Sequence, residues 1–302
     1  MAFPRIYTDE NAAREHLEAL LWPDGPVCPH CRTIDQATRL QGKSTRPGLL
    51  KCRSCEKPFS VTVGTVFERS KIKLHQWVYA SHLLTSSKKG ISSHQLSRML
   101  GVTYKTAWFM AHRIREAMRP ASLTPMGGSG KTVEVDETII GKLEGAPKRL
   151  RKGGSQNRNI VLSVVERGGA ARSWHIDGTT VGTLLPILRT NVRRESVLMT
   201  DEASWYRSIG REYANHLSVN HREHEYSVGE ITTNTVEGYF SIFKRGMKGV
   251  YQHCSEKHLH RYLSEFDFRY SNRIALGVDD AMRADKALQG IKGKRLTYHQ
   301  PH

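Results

Sequence analysis

"KTVEVDETIIG", residues 131–141, decides how the larger half of this chain is read. From Thr132 to Ile140 the residues alternate in strand fashion, with Val133 and Val135 marking an apolar face. Asp136 falls in the middle of this largely apolar strand, not in a loop, an unusual place for a merely solvated carboxylate. Alternation turns its neighbour Glu137 to the opposite strand face.

Working outward, "RNIVLSVVERGGAARSWHI" (158–176) reads as a strand, a Gly-Gly turn and a second strand. "TTVGTLLPILRTNV" (179–192) reads as a helix despite Pro186, and "SVLMTD" (196–201) as a short buried strand ending in Asp201. "ANHLSVNH" (214–221) offers a fifth short strand. The stretch 233–273, opening "TNTVEGYFSIFKRG", is largely helical, with Phe240 and Phe243 on one side. Three antiparallel strands, a helix, a strand and a closing helix make the α/β layer order of an RNase H-like domain. Asp136 then lies on the first strand, Asp201 at the end of the fourth, and Glu237 on the helix packed across them.

Upstream, "RPASLTPMGGSGKT" (119–132) is rich in Pro, Gly and Ser and reads as a linker. Before it the period is helical. "KLHQWVYASHLL" sets Leu74, Trp77, Val78 and Leu84 on one side; Ala107, Ala111, Ile114 and Met118 follow a second stripe. Helix, a turn bearing Gly101, and helix form a helix-turn-helix-like pattern, led into its second helix by Thr103, Tyr104, Lys105 and Thr106. Those four residues would meet base edges or phosphates if the segment docks in a major groove; a bundle that only packs on its neighbours is the alternative.

The first sixty residues hold "CPHC" (Cys28, Cys31) and "CRSC" (Cys52, Cys55), with twenty residues between the pairs. Two such turns can enclose one tetrahedral ion, and four thiolates leave no open position, so a structural Zn²⁺ in a zinc ribbon is expected. A short helix capped by Thr8 or Asp9 precedes it. The expected domains are an N-terminal helix and zinc ribbon over 1–70, a helix-turn-helix-like DNA-binding segment over 71–120 and a linker over 121–131. An RNase H-like catalytic domain over 132–275 and a C-terminal helix and tail over 276–302 follow.

The net charge of +17, with 46 Lys and Arg against 29 Asp and Glu, points to a polyanion, most simply nucleic acid. No run of eighteen apolar residues and no apolar signal core is present, so a soluble, cytoplasmic protein with no membrane partner is expected. Four paired cysteines suit a reducing compartment with a metal better than a disulfide framework.

"VEVDET" (133–138), "TDEASWY" (200–206), "VNH" (219–221) and "TNTVEGYFSIFKRG" (233–246) together resemble the bacterial insertion-sequence transposases of the DDE type, in the group with an N-terminal zinc ribbon. The resemblance spans essentially the whole chain. It implies that Asp136, Asp201 and Glu237 are the catalytic triad and hold Mg²⁺ or Mn²⁺. Hard divalent ions take oxygen ligands, and a pair of them can hold the attacking and leaving oxygens of an in-line displacement at phosphorus. The family also implies DNA partners, namely the terminal inverted repeats and target DNA, a homo-oligomer assembled on DNA, and a place at the bacterial nucleoid.

Lys244, two helical turns after Glu237, is implied as a phosphate contact, with Arg245 as its substitute. Asn234 is a candidate cap for the helix and His221 a candidate outer partner of the site. In relatives a His often lies five residues before the glutamate; here that position is Thr232. "KLEGAPKRLRKGGSQNR" (142–158) carries Lys148, Arg149, Arg151 and Lys152 on a long loop beside the catalytic end, where they could grip a DNA backbone. The expected function is to bind, cleave and join element ends. A DNA-binding regulator derived from such an enzyme, or a nuclease without joining, would share many of these features.

Overall fold

The computed structural model describes residues 3–147, 157–219 and 232–297, and divides into two compact units. Unit 1 comprises Met1–Pro120 and Asp279–His302; unit 2 comprises Ala121–Val278. The first unit therefore joins stretches that the sequence reading set apart as 1–70, 71–120 and 276–302.

In unit 1, α1 (Glu10–Leu21) starts at Asp9, whose Oδ1 accepts from the Ala12 amide at 2.7 Å. A three-stranded antiparallel sheet follows: β1 (Ala37–Arg39), β2 (Leu50–Cys52) and β3 (Pro58–Phe59). Only Pro58 and Phe59 of the alternating run "PFSVTVGTVF" are strand; Ser60–Val63 and Thr65–Glu68 fold back in backbone turns instead. Three helices come next, α2 (Leu74–Ser86), α3 (Ser93–Leu100) and α4 (Tyr104–Met118). Leu74, Trp77, Val78 and Leu84 of α2 are buried, as are Ala107, Ala111, Ile114 and Met118 of α4. Gly101 ends α3 in the left-handed conformation (φ 65°), and the Thr103 hydroxyl caps α4 by accepting from the Thr106 amide. Helix α9 (Asp280–Gln289) packs against α2.

Unit 2 is a five-stranded mixed sheet covered on both faces. Its strands are β4 (Thr132–Ile140), β5 (Asn159–Glu166), β6 (Ala171–Ile176), β7 (Val197–Asp201) and β8 (Asn215–Val219), in the spatial order β6-β5-β4-β7-β8. β4, β5 and β6 pair antiparallel, while β7 runs parallel to β4 and β8 parallel to β7. This is the RNase H-like arrangement, so the fold class is α/β with a zinc ribbon and a helix-turn-helix-like segment ahead of it. One face packs Val133, Val135, Leu162, Leu198 and others against α5 (Val181–Asn191) and α6 (Ser204–Gly210). The other packs Val161 and Val165 against α7 (Asn234–Gly246) and α8 (Glu256–Ser271). The two-residue period thus sends Val133 and Val135 to one layer and Glu134 and Asp136 to the other.

The reading of 121–131 needs correction. The stretch 121–131 is not a free linker, since buried Met126 pairs beside Val192 and the amides of Gly127 and Gly128 donate to Glu166 and Ser196. Gly127 has φ +79°, and a Cβ there would lie 2.1 Å from Ser196 Oγ, so only glycine fits. The closing stretch is largely helical, as expected: α7 runs into a π-helical turn, Met247–Tyr251, and α8 starts afresh at Glu256. Helix α6 has no counterpart among the expected elements.

Candidate active site and metal centre

Two centres can be built from these units. In unit 1 the ligand sulfurs of Cys28, Cys31, Cys52 and Cys55 all lie within 4.8 Å of one another. Cys28 and Cys55 are 3.7 Å apart at sulfur, and Cys31 and Cys52 3.6 Å. Four thiolates about 2.3 Å from a tetrahedral zinc stand about 3.8 Å apart, so the set fits a structural Zn²⁺ with no open position. The Thr33 hydroxyl, 2.7 Å from Cys31 Sγ, heads the causes that lower that thiol to about 6, which favours the thiolate a metal needs. Cys28 and Cys52 form the ribbon's small core with Leu50 and Phe59, so the ion would sit inside the fold it closes.

In unit 2 the acids come from three elements. The parallel register ends at Glu134 opposite Met199, and two residues further along each strand stand Asp136 and Asp201. Both are half-buried. Asp136 Oδ1 accepts from the Glu137 amide at 2.7 Å, and Asp201 Oδ1 from the Ala203 amide at 3.0 Å, so each carboxyl keeps one oxygen tied to backbone. Glu237, in the first turn of α7, is exposed and accepts from Thr233 Oγ1 at 2.9 Å. The Asp136 carboxyl is pushed up to about 8, first by burial and then by the charges of Glu137, Asp201 and Glu237. The three acids are thus near enough to sense one another, and an oxygen-rich group of like charges suits a hard divalent cation. Among the described residues the four cysteines alone bring three or more ligand atoms within 4.8 Å, so the acid set is the looser of the two.

Glu137 lies on the other strand face, as alternation requires, where its Oε1 accepts from Tyr206 at 2.8 Å. Burial first, and then the charge of Asp201, raises its carboxyl to about 7. Sequence reasoning missed Glu134, which is wholly buried and accepts from the Val236 amide at 2.9 Å and from Arg167 Nε at 2.6 Å. The available signal was its place in "VEVDET", two residues before Asp136 and therefore on the same face. Asn234 does not cap α7 but is its exposed first residue; the Asn234 amide is held by Thr232 Oγ1 at 3.0 Å and the Val236 amide by Glu134. The position where relatives often carry His is thereby used for capping.

Lys244 is half-buried two turns along α7 from Glu237, and exposed Arg245 turns back on Ser241. Thr103, Tyr104 and Lys105 are exposed at the start of α4 and Thr106 is half-buried; the Tyr104 ring stacks on His94 with centroids 4.3 Å apart. Lys148, Arg149, Arg151, Lys152 and His221 lie outside the described residues. No helix among the described residues is long and apolar enough to cross a membrane.

Two family models match the chain. Residues 127–271 match the ISXO2-like transposase domain, and residues 8–58 the transposase zinc-ribbon domain. An uncharacterized protein in transposable element ISH50 of Halobacterium salinarum is 26% identical over 282 residues, covering 88% of this chain and 92% of that protein. Among solved structures, similarity is found to the simian T-cell lymphotropic virus intasome in complex with PP2A regulatory subunit B56 gamma. That match has 14% identity and TM-score 0.30, covering 57% of this chain and 63% of that one, just under two thirds of its length. A pre-cleavage Mos1 transpososome is similar at 9% identity and TM-score 0.30, covering 66% and 71%. With a transposase zinc ribbon ahead of an ISXO2-like transposase domain, this chain belongs to the insertion-sequence transposases.

Proposed function

We propose that the chain is a DDE-type enzyme that binds the ends of its own insertion sequence, cleaves there and joins the 3′ ends to target DNA. What supports this reading is that Asp136 and Asp201 stand two residues beyond the shared register of neighbouring parallel strands, and that Glu237 opens the helix packed on the same sheet face. Asp136 and Asp201 would hold Mg²⁺ or Mn²⁺ from neighbouring parallel strands, with Glu237 closing the set from above. Ions bound there would polarise the phosphate and stabilise the attacking and leaving oxygens of an in-line displacement. The backbone amides of Glu137 and Ala203 hold the two aspartates in one orientation, so little rearrangement is needed at the moment of reaction. Lys244, farther along the face of α7 that carries Glu237, would neutralise a phosphate beside the scissile bond.

The helix-turn-helix-like segment supports DNA binding through Thr103, Tyr104, Lys105 and Thr106, and the net charge of +17 supports backbone contact elsewhere. Because two element ends must be joined, two or more copies of the chain would assemble on DNA. The test is purified full-length protein with Mg²⁺, labelled element ends and a target plasmid. The expected result is metal-dependent cleavage with end-to-target junctions on sequencing, and a loss of roughly a hundredfold or more in Asp201→Ala. Tight binding without cutting in Mg²⁺ or Mn²⁺ would identify a regulator instead, and cutting without junctions a nuclease.

A further inference from the structure

Glu134 and Arg167 form a contact that neither the ribbon nor the acid triad uses. Glu134 is wholly buried, and Arg167, in the turn after β5, reaches it at 2.6 Å. A buried ion pair seldom stabilises a fold more than well-packed apolar side chains would. What distinguishes this one is what else it holds. Glu134 Oε1 also accepts from Thr235 Oγ1 at 2.8 Å, and Oε2 accepts from the Val236 amide at 2.9 Å, one of the first-turn donors that a helix leaves without intrahelical partners. Arg167 Nη2 donates to the Thr232 carbonyl at 2.7 Å and lies 2.9 Å from Met199 Sδ, while the Arg167 amide donates to the Thr132 carbonyl at 3.0 Å.

Three of these residues stand within two positions of an acid of the site. Glu134 is two residues before Asp136 on β4, Met199 two residues before Asp201 on β7, and Val236 directly before Glu237 on α7. One ion pair therefore ties together the three elements that carry the acids.

We infer that the Glu134–Arg167 pair is a positioning device: it sets where the start of α7 sits over β4 and β7, and so the separation of Glu237 from Asp136 and Asp201 that a divalent ion must bridge. This rests on the function proposed above. Glu134 and Arg167 touch neither DNA nor metal on this account; they act through the acids.

The experiment titrates Mn²⁺ against cleavage of labelled ends by full-length wild type, Glu134→Gln and Arg167→Lys, with Asp201→Ala alongside, and measures Mn²⁺ binding calorimetrically on the same four proteins. Gln at 134 keeps the size and one acceptor but loses the ion pair. Lys at 167 keeps the charge but cannot span Glu134, Thr232 and Met199 together. Both variants should raise the Mn²⁺ concentration for half-maximal rate, and weaken Mn²⁺ binding, by about tenfold, with a much smaller change in rate at saturating Mn²⁺. A lowered melting temperature with an unchanged Mn²⁺ requirement would overturn the inference and leave the pair a structural one. If Glu134→Gln does not fold, Arg167→Lys alone decides between the same two outcomes. Failure of the underlying reading looks different, for then wild type itself would show no metal-dependent cleavage, or Asp201→Ala would bind Mn²⁺ as tightly as wild type.

Discussion

On the proposed function the thiol centre and the acid centre would solve the same problem, gathering like donors around a cation, in opposite ways. Cys28, Cys31, Cys52 and Cys55 sit in two tight turns of a ribbon whose buried core is hardly more than two of those cysteines with Leu50 and Phe59. Asp136 and Asp201 stand on a sheet, and Glu237 on a helix packed against it, with an apolar cluster on each face built without their help. In the first centre the ion would make the fold; in the second the fold makes the place for the ion. Burial and then like charge raise the Asp136 carboxyl to about 8, while in the ribbon Cys31 is lowered to about 6 and Cys55 raised to about 12. Loss of metal should therefore unfold the ribbon but cost the sheet only part of its stability.

The largest expected effect lies at the ribbon. Cys52 is fully buried, and Cys52→Ser should abolish zinc retention and with it the structure of residues 28–59, because structural zinc contributes on the order of 10 kcal/mol to such small modules. Elemental analysis should find one zinc per wild-type chain and none in the variant, while hydrogen exchange shows lost protection in the ribbon and unchanged protection in β4–β8. A Cys52→Ser protein that keeps both its zinc and its protected ribbon amides would refute a four-thiolate structural site.

At the acid centre the expected effect is smaller and depends on pH. Without metal, Asp136 is raised from 3.8 to about 8 and Glu137 from 4.5 to about 7, in both cases chiefly by burial. Between about pH 4 and pH 8 the folded protein then binds more protons than the unfolded chain, so stability falls as pH rises through that window. Below it both states are protonated and the penalty vanishes. Each pH unit costs at most about 1.4 kcal/mol per carboxyl, and partial exposure lowers that. Urea midpoints of the metal-free protein should drop from pH 5 to pH 8, Asp136→Asn should flatten the slope, and saturating Mg²⁺ should restore much of the loss, since its binding expels the protons. A midpoint that climbs with pH in the absence of metal would show that burial does not dominate these carboxyls.

The same contrast explains what could be read in advance. The thiol centre is local, and its spacing announces it. β4 over Thr132–Ile140 and β7 ending at Asp201 were legible because alternation and a short apolar run are also local signals. The capping of α7 was not, because its acceptor is Glu134, on a strand far back in the chain, and its bracing cation is Arg167 in an unrelated turn. Asn234 has the right residue type and place for a cap, yet that role goes to the carboxylate that tertiary packing delivers. Likewise the proline- and glycine-rich stretch before β4 has the composition of a linker, but Met126 finds a buried pocket and Gly127 a close approach to Ser196 that composition cannot foretell. Helix α6 is only seven residues long, too short for a helical period to stand out.

The smallest expected effect separates Lys244 from Arg245 and sharpens the account of the acid centre alone. Seven residues after Glu237 returns nearly to the same side of a helix, so Lys244 shares the face of α7 that carries the acid, whereas Arg245 is turned by about 100°. Arg245 is exposed and already donates to Ser241 Oγ at 3.1 Å from Nε. A phosphate approaching Asp136 and Asp201 should therefore meet Lys244 and not Arg245. Lys244→Gln should weaken end binding modestly and reduce the salt slope of log K by about one, the signature of one lost phosphate contact, and lower the cleavage rate by about tenfold. Arg245→Gln should change each by about twofold at most, as expected of a surface charge away from the bound backbone. Binding isotherms from about 50 to 200 mM salt, run on both variants with the same labelled end, measure the difference. Equal slopes for the two variants would mean that DNA does not reach the acids along this face of α7, and that the phosphate is gripped from another part of unit 2.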